Sequence, residues 1–312
     1  MRNRPLIVIV ALVLGAALVF EVWTRMRAVQ AADPSFDAGV EHRTASHQLI
    51  LFDAAHHNFH TAHGNYKPFA DLLRNDGFSV AENEKPFTRD SLGRARVVVI
   101  ANALGTKGVI AMLANLVGIP SALHWHMSAF TNEECDAVQQ WVHDGGSLLL
   151  IADHAPTGNT ARALSQRFGA DMSNWFTEDE KHCDPRATSF IVYSRENGLL
   201  REHLVTHGLR QVVTFTGQSL TVPPGATPFL ALSPSAREYP QRNSKESEGR
   251  SAAGRAQGVA LEYGRGRVVI LGEAAMLSAQ VFAGGSLRLG MNYPGCDNRQ
   301  LALNIAHWLA RI

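Results

Sequence analysis

Short runs of Val, Ile and Leu constrain this chain more than any other feature: 48–53 (QLILFD), 78–81 (FSVA), 96–101 (RVVVIA) and 147–152 (SLLLIA). A strand with one solvated face alternates polar and apolar residues, because successive side chains point to opposite faces. These runs barely alternate, so both faces are covered, as in a parallel sheet between helices. Between the first two runs, Tyr66 to Asp76 places Phe69, Leu72 and Leu73 at helical spacing, and Gly77 follows as a stop. Before the fourth, Thr131 and Glu134 form a capping box with Phe130 as a staple outside it. Cys135, Val138, Trp141 and Val142 make that helix's inward stripe, and Gly145-Gly146 ends it. The alternation predicts an α/β fold: a flavodoxin-like, doubly wound, mostly parallel sheet sandwiched by helices.

The second half is less regular and predicts an added β-hairpin region. Strand-like pieces fall near 189–193, 211–216 and 228–232, separated by Pro223-Pro224-Gly225 and by a polar stretch, Ser235 to Gly254. That stretch reads as an exposed, mobile loop near 235–256. Gly258–Tyr263 and Arg267–Leu271 flank Gly264-Arg265-Gly266 as a hairpin, and Asn298–Ala310 closes the chain as a helix with Leu301, Ile305, Trp308 and Leu309 inward. There is no internal repeat.

Arg2 and Arg4 precede an uncharged run from Pro5 to Phe20, and Val29-Gln30-Ala31 resembles a signal-peptidase site. Residues 1–31 therefore read as a signal peptide or an N-terminal membrane anchor, 32–46 as a linker and 47–312 as the α/β domain. The chain is expected to be exported, either periplasmic or held to the inner membrane by the uncleaved segment. Arg25 and Arg27 beyond the run leave cleavage and anchoring both open. In an oxidising compartment the three cysteines, Cys135, Cys183 and Cys296, allow one bridge, with Cys183–Cys296 as the candidate. The 29 basic and 28 acidic residues of the 312 are nowhere concentrated into a phosphate-binding surface, which argues against nucleic acid.

Right-handed crossovers bring the loops after Asp53, Ala101 and Ala152 to one carboxyl edge of the sheet, where open α/β folds bind ligands. Polar residues end the apolar runs there: Asp53, Asn102, Asp153-His154 and Glu273. Directly after Asp53 comes a cluster, His56-His57-Asn58-Phe59-His60, with His63 beyond. Imidazole is a common metal ligand and titrates near neutral pH, so the cluster predicts chemistry or metal binding. His57, His60 and His154 are the candidate ligands of a divalent metal such as zinc, although His56 and His60, the i, i+4 pair, lack the Glu of an H-E-x-x-H motif. His124-Trp-His126 is a second candidate pair. Asp53, His57, Asp153 and Glu273 are the candidate catalytic groups; Asn58, Asn102 and Asn292 are candidate ligand contacts. No cysteine or serine sits between the two glycines of a nucleophile elbow, and no phosphate-binding glycine loop is present.

Several of these segments carry a resemblance: Leu51-Phe52-Asp53 followed by His57 to Thr61, Tyr66 to Leu73, Ser128 to Thr131, Gly146 to His154, Gly272 to Met276, and Gly290-Met291-Asn292. Together they resemble an exported branch of the class I glutamine amidotransferase-like superfamily, near the ThuA-like and β-galactosidase-trimerisation-like modules. The resemblance covers residues 47 to 311 and implies the α/β fold above. The superfamily's Cys elbow is missing, which speaks against amidotransferase activity; related modules without it often act on carbohydrates or have no catalytic role. Two functions follow. One is a metal-assisted or acid/base hydrolase of carbohydrate or cell-envelope material, with Glu273 or Asp153 activating water. The other is a non-catalytic module of the envelope that binds a small-molecule, sugar or peptide ligand.

Overall fold

The computed structural model describes residues 31–41, 43–44, 47–116, 127–242, 244–282 and 287–312. The expected leader or anchor at 5–20 and the pair His124/His126 lie outside them. Among the described residues no helix is long and apolar enough to cross a membrane.

The apolar runs become strands β1 (Leu49–Asp53), β2 (Ser79–Asn83), β3 (Val97–Ala101) and β4 (Ser147–Ile151). With β5 (Thr227–Ala231), β6 (Ala256–Tyr263) and β7 (Gly266–Leu271) they form one seven-stranded sheet in the order β5-β6-β7-β4-β3-β1-β2. The β7-β4, β4-β3, β3-β1 and β1-β2 pairs are parallel; β6 pairs antiparallel with β7 and with β5. Three smaller antiparallel sheets of three strands each surround this mostly parallel centre.

The lack of alternation now has its cause. Ile50, Phe52, Val97, Val99, Leu149, Ile151, Val269 and Leu271 face one core layer, built with helices α1 (Lys67–Asp76) and α5 (Asn298–Ala310). The residues between them, Leu51, Val98, Ile100, Leu148, Leu150, Val268 and Ile270, face a second layer, built with α3 (Asn132–His143) and α4 (Thr157–Gln166). Each fully buried Val, Leu or Ile contributes roughly 1.5–3 kcal/mol. A polar residue within these strands is therefore costly, and polar chemistry is displaced to the strand ends.

Local signals act where the sequence places them. Gly77 closes α1 at φ +115°, and a Cβ there would meet the Thr44 carbonyl oxygen at 2.0 Å. Thr131 and Glu134 form the reciprocal box: Glu134 N donates to Thr131 Oγ1 at 3.2 Å, and Thr131 N donates to Glu134 Oε2 at 2.9 Å. Thr131→Ala is expected to cost about 1 kcal/mol in urea denaturation, the usual value of a lost N-cap; a loss under a few tenths would show the cap to be dispensable.

Three expectations change. The stretch read as an exposed loop near 235–256 contains strands Arg237–Tyr239 and Arg250–Ser251, which join Phe176–Glu178 in one of the small sheets. Its polar composition conceals a buried acid: Glu238 is 1% exposed, receives Arg250 Nε at 2.5 Å, and Arg250 lies 4.0 Å over the Trp175 ring. The expected linker is folded onto the domain, for Ala31–Ala32 pairs with Ala279–Phe282. Buried Asp33 there accepts from Ser35, Asn292 Nδ2 (2.9 Å) and Arg288 Nη1 (3.0 Å). The three thiols are free, so the Cys183–Cys296 bridge is not formed.

Candidate functional site

At the end of β1 the chain builds a buried ionic chain. Asp53 accepts from His56 Nδ1 at 2.9 Å, and His56 Nε2 donates to Glu134 Oε1 at 2.8 Å. The imidazole lies between the rings of Phe87 (4.8 Å) and Phe130 (4.6 Å). With a carboxylate on each nitrogen, both must carry hydrogen, which makes His56 a cation. Burial works against that charge, yet the hydrogen bonds and attraction of Asp53 and Glu134 hold the His56 pKa above its ordinary value. Burial pushes the Asp53 carboxyl up. Burial also opposes ionisation of Glu134, but amide hydrogen bonds and His56 bring its pKa below the usual range.

Beside this chain, at the carboxyl ends of β3, β4 and β7, lies a cavity of about 400 Å³. Its polar floor comes from four loops. Asn102, in the left-handed region at φ +52°, follows β3; asparagine tolerates that conformation better than most residues. The Asn102 amide donates to Asp153 Oδ2 at 2.7 Å and meets His60 Nδ1 at 3.2 Å, while its oxygen accepts from Asp153 N at 2.8 Å. Asp153 Oδ1 accepts from Ala274 N at 2.9 Å. The Glu273 oxygens accept from Ala275 N (2.7 Å) and Met276 N (2.8 Å). Burial first, and then the neighbouring Asp153 charge, raises the Glu273 pKa well above its ordinary value.

Both floor histidines are neutral near pH 7. His60 is fully enclosed and its pKa falls to about 4, because burial penalises the cation more than Asp153 favours it. His154 stacks on Phe176 at 4.0 Å, its Nδ1 donates to the Ala155 carbonyl at 3.0 Å, and burial lowers its pKa. That tautomer leaves the Nε2 lone pair available. The wall opposite is apolar: Phe59, Phe190, Phe215, Phe282, Leu287 and Leu289.

Of the residues singled out in the sequence, His60, Asn102, Asp153, His154 and Glu273 line this one cavity. Four do not. Asp53 is consumed by His56. His57 is turned outward at φ +52° and is exposed. Asn58 bonds the Ala101 carbonyl at 3.4 Å, and Asn292 clamps Asp33. With His57 outside, the expected ligand set His57, His60 and His154 does not converge. Among the described residues no group of three His, Cys, Asp or Glu side chains is arranged to hold a metal ion. Sequence reasoning missed Gln280, Thr216 and Arg242, which also line it. No local motif marks them.

No family model and no curated protein matches the chain. Among solved structures, the mmIFT52 N-terminal domain superposes with a TM-score of 0.60 at 15% identity, over 84% of this chain and 97% of that one. A cytoplasmic protein from Salmonella typhimurium gives a TM-score of 0.47 at 12% identity, over 84% and 98%. A ThuA-like protein from Bacteroides uniformis gives 0.43 at 13% identity, over 89% and 95%. At these identities the first likeness establishes a shared fold, and the structural neighbours include ThuA-like proteins.

Proposed function

We propose that the cavity binds a small hydroxylated ligand of the carbohydrate class, on a flavodoxin-like frame of the class I glutamine amidotransferase type carried by an exported envelope protein. The observation that carries this reading is Gln280. Its Oε1 is buried with no partner among the described residues, and its Nε2 meets His60 Nε2 at 3.4 Å. His60 accepts from Asn102 at Nδ1, so its proton sits on Nε2 and calls for the Gln280 oxygen instead. With the amide as built, its oxygen is left buried and unpaired among the described residues; turned over to meet His60, the amide puts its NH2 group in that place beside the cavity. An unsatisfied buried group costs about 1–3 kcal/mol. A ligand hydroxyl, which both donates and accepts, relieves that cost. The floor carboxyl groups already have protein partners: each oxygen of Asp153 and of Glu273 accepts from an amide. The aromatic wall suits the apolar face of a sugar ring.

Calorimetric titration with a panel of neutral hexoses and pentoses tests the reading. At least one is expected to bind, and Gln280→Met to weaken it about tenfold, the value of one polar contact. Binding unchanged in Gln280→Met rejects it.

A second reading rests on His154. A neutral imidazole with Nδ1 fixed on a carbonyl and Nε2 unpaired among the described residues is the form a general base takes. In that reading the cavity hydrolyses its sugar ligand, and His154 Nε2 accepts the proton of the attacking water. Turnover of aryl glycosides that disappears in His154→Ala, with folding retained, supports catalysis; no turnover in the wild type leaves a binding module.

A further inference from the structure

We propose that the ligand carries an anionic group, a carboxylate or a phosphate, held at the rim of the cavity by Arg242. This rests on the reading of the cavity as a sugar site and names the class of sugar it takes.

Arg242 lines the cavity from its exposed edge. Its Nη2 donates to Thr216 Oγ1 at 3.4 Å, and among the described residues no carboxylate pairs with it. A guanidinium offers five donors in a planar fork suited to carboxylate or phosphate oxygens, and one long bond to a hydroxyl uses little of that capacity. Among the described residues the rest of the lining holds no other cation: His60 and His154 are neutral, and the carboxyl groups of Asp153 and Glu273 already accept from protein amides.

The backbone beneath Arg242 is strained. Thr216 lies at φ +74°, a conformation that a β-branched residue rarely adopts and that costs of order 1–3 kcal/mol. The strain sets the Thr216 hydroxyl 2.7 Å from Ser189 Oγ and within reach of Arg242. The turn is also held from behind, because a Cβ at Gly217 would meet the Gly272 carbonyl oxygen at 2.3 Å. One rigid corner thus joins the rim cation to the segment that carries Glu273.

Charge then fixes the ligand's direction. An anion at the floor would face the Asp153 carboxylate in a low dielectric, where like charges repel strongly. At the rim it meets Arg242 instead, so the anionic end lies outward and the hydroxyls reach Gln280 and the floor.

Titration of the full chain at low salt with glucose, galactose and mannose, their uronates and their 6-phosphates tests this. At least one anionic form is expected to bind about tenfold or more tightly than its neutral parent, the size of a charge-assisted hydrogen bond. Arg242→Ala should abolish that advantage, costing the anionic form at least tenfold more affinity than its neutral parent, and Arg242→Lys should keep part of it. The uronate and phosphate arms separate the two sources of charge. Neutral sugars binding as tightly as every anionic form, or Arg242→Ala weakening all forms equally, overturns the anionic assignment and leaves the sugar site standing. Binding of none of these compounds overturns both.

Discussion

Replacing His56 with alanine is expected to remove about 4 kcal/mol of folding stability, measured by urea denaturation at pH 6. The residue is 7% exposed, and its partners Asp53 and Glu134 are 1% and 8% exposed. Taking one partner from a buried, hydrogen-bonded ion set costs about 3–5 kcal/mol, because the charges left behind have neither water nor a counter-ion. Here two carboxylates are left behind. The substitution also empties the space between Phe87 and Phe130. Neutralising both acids as well, with Asp53→Asn and Glu134→Gln in the His56→Ala background, should return part of the loss. The pH dependence has a definite sign: the His56 pKa is raised above 6.5 in the native state, so its contribution is complete below pH 6.5 and is lost as pH rises through the folded value. A loss under 1 kcal/mol in His56→Ala, or stability from this group that grows with pH, would show that no cation is held there.

The parts of this molecule legible in the sequence are those governed by local rules. Continuous apolar runs announce strands covered on both faces, the Thr131/Glu134 box announces a helix start, and Gly77 announces a stop; each depends on a few neighbouring residues. The site's location was legible for the same reason, since buried strands push polar residues to their ends and parallel crossovers place those ends together. What each polar residue does there was not. His56 and His60 belong to one histidine-rich segment, yet His56 turns toward Glu134, 78 positions away, and His60 turns toward Gln280, 220 away. Only tertiary packing makes those choices. His57 drops out because one left-handed residue reverses the side chain's direction, which no spacing argument contains. Arg242 and Thr216 stayed hidden because an arginine in a polar stretch and a threonine after a strand are ordinary in sequence. Glu238 shows the same limit, since composition counts a charge and cannot see the Arg250 and Ser219 that bury it.

Lowering the pH from 7 to about 4 is expected to remove roughly 3 kcal/mol of stability through His60 alone. Its native pKa is about 4, against 6.5 for the free side chain. Below pH 6.5 the unfolded chain takes up a proton that the native protein refuses until about pH 4. The contribution is therefore complete above pH 6.5 and is lost steadily as pH falls through that window. At about 1.4 kcal/mol per pH unit for one proton, the window is worth roughly 3 kcal/mol. The acids with lowered pKa values, Asp33, Glu82, Glu134, Asp144, Asp179 and Asp184, lose their contributions only below their own unfolded values of 3.8 to 4.5, whereas Asp53 and Glu273, with raised values, oppose the histidine slope and do so in wild type and variant alike. Stability measured by urea denaturation at intervals across that window should carry, in the wild type, a falling component of nearly one proton from His60. His60→Gln, which keeps an amide to meet Asn102 and cannot titrate, should remove most of that component even if it lowers stability at pH 7. Burial lowers the His154 pKa too, so it adds a component of the same sign, which His154→Gln removes separately. An unchanged slope in His60→Gln would mean that His60 is not held neutral. The unpaired end of Gln280 would then have a protonated neighbour, and the hydroxyl-seeking floor would lose its basis.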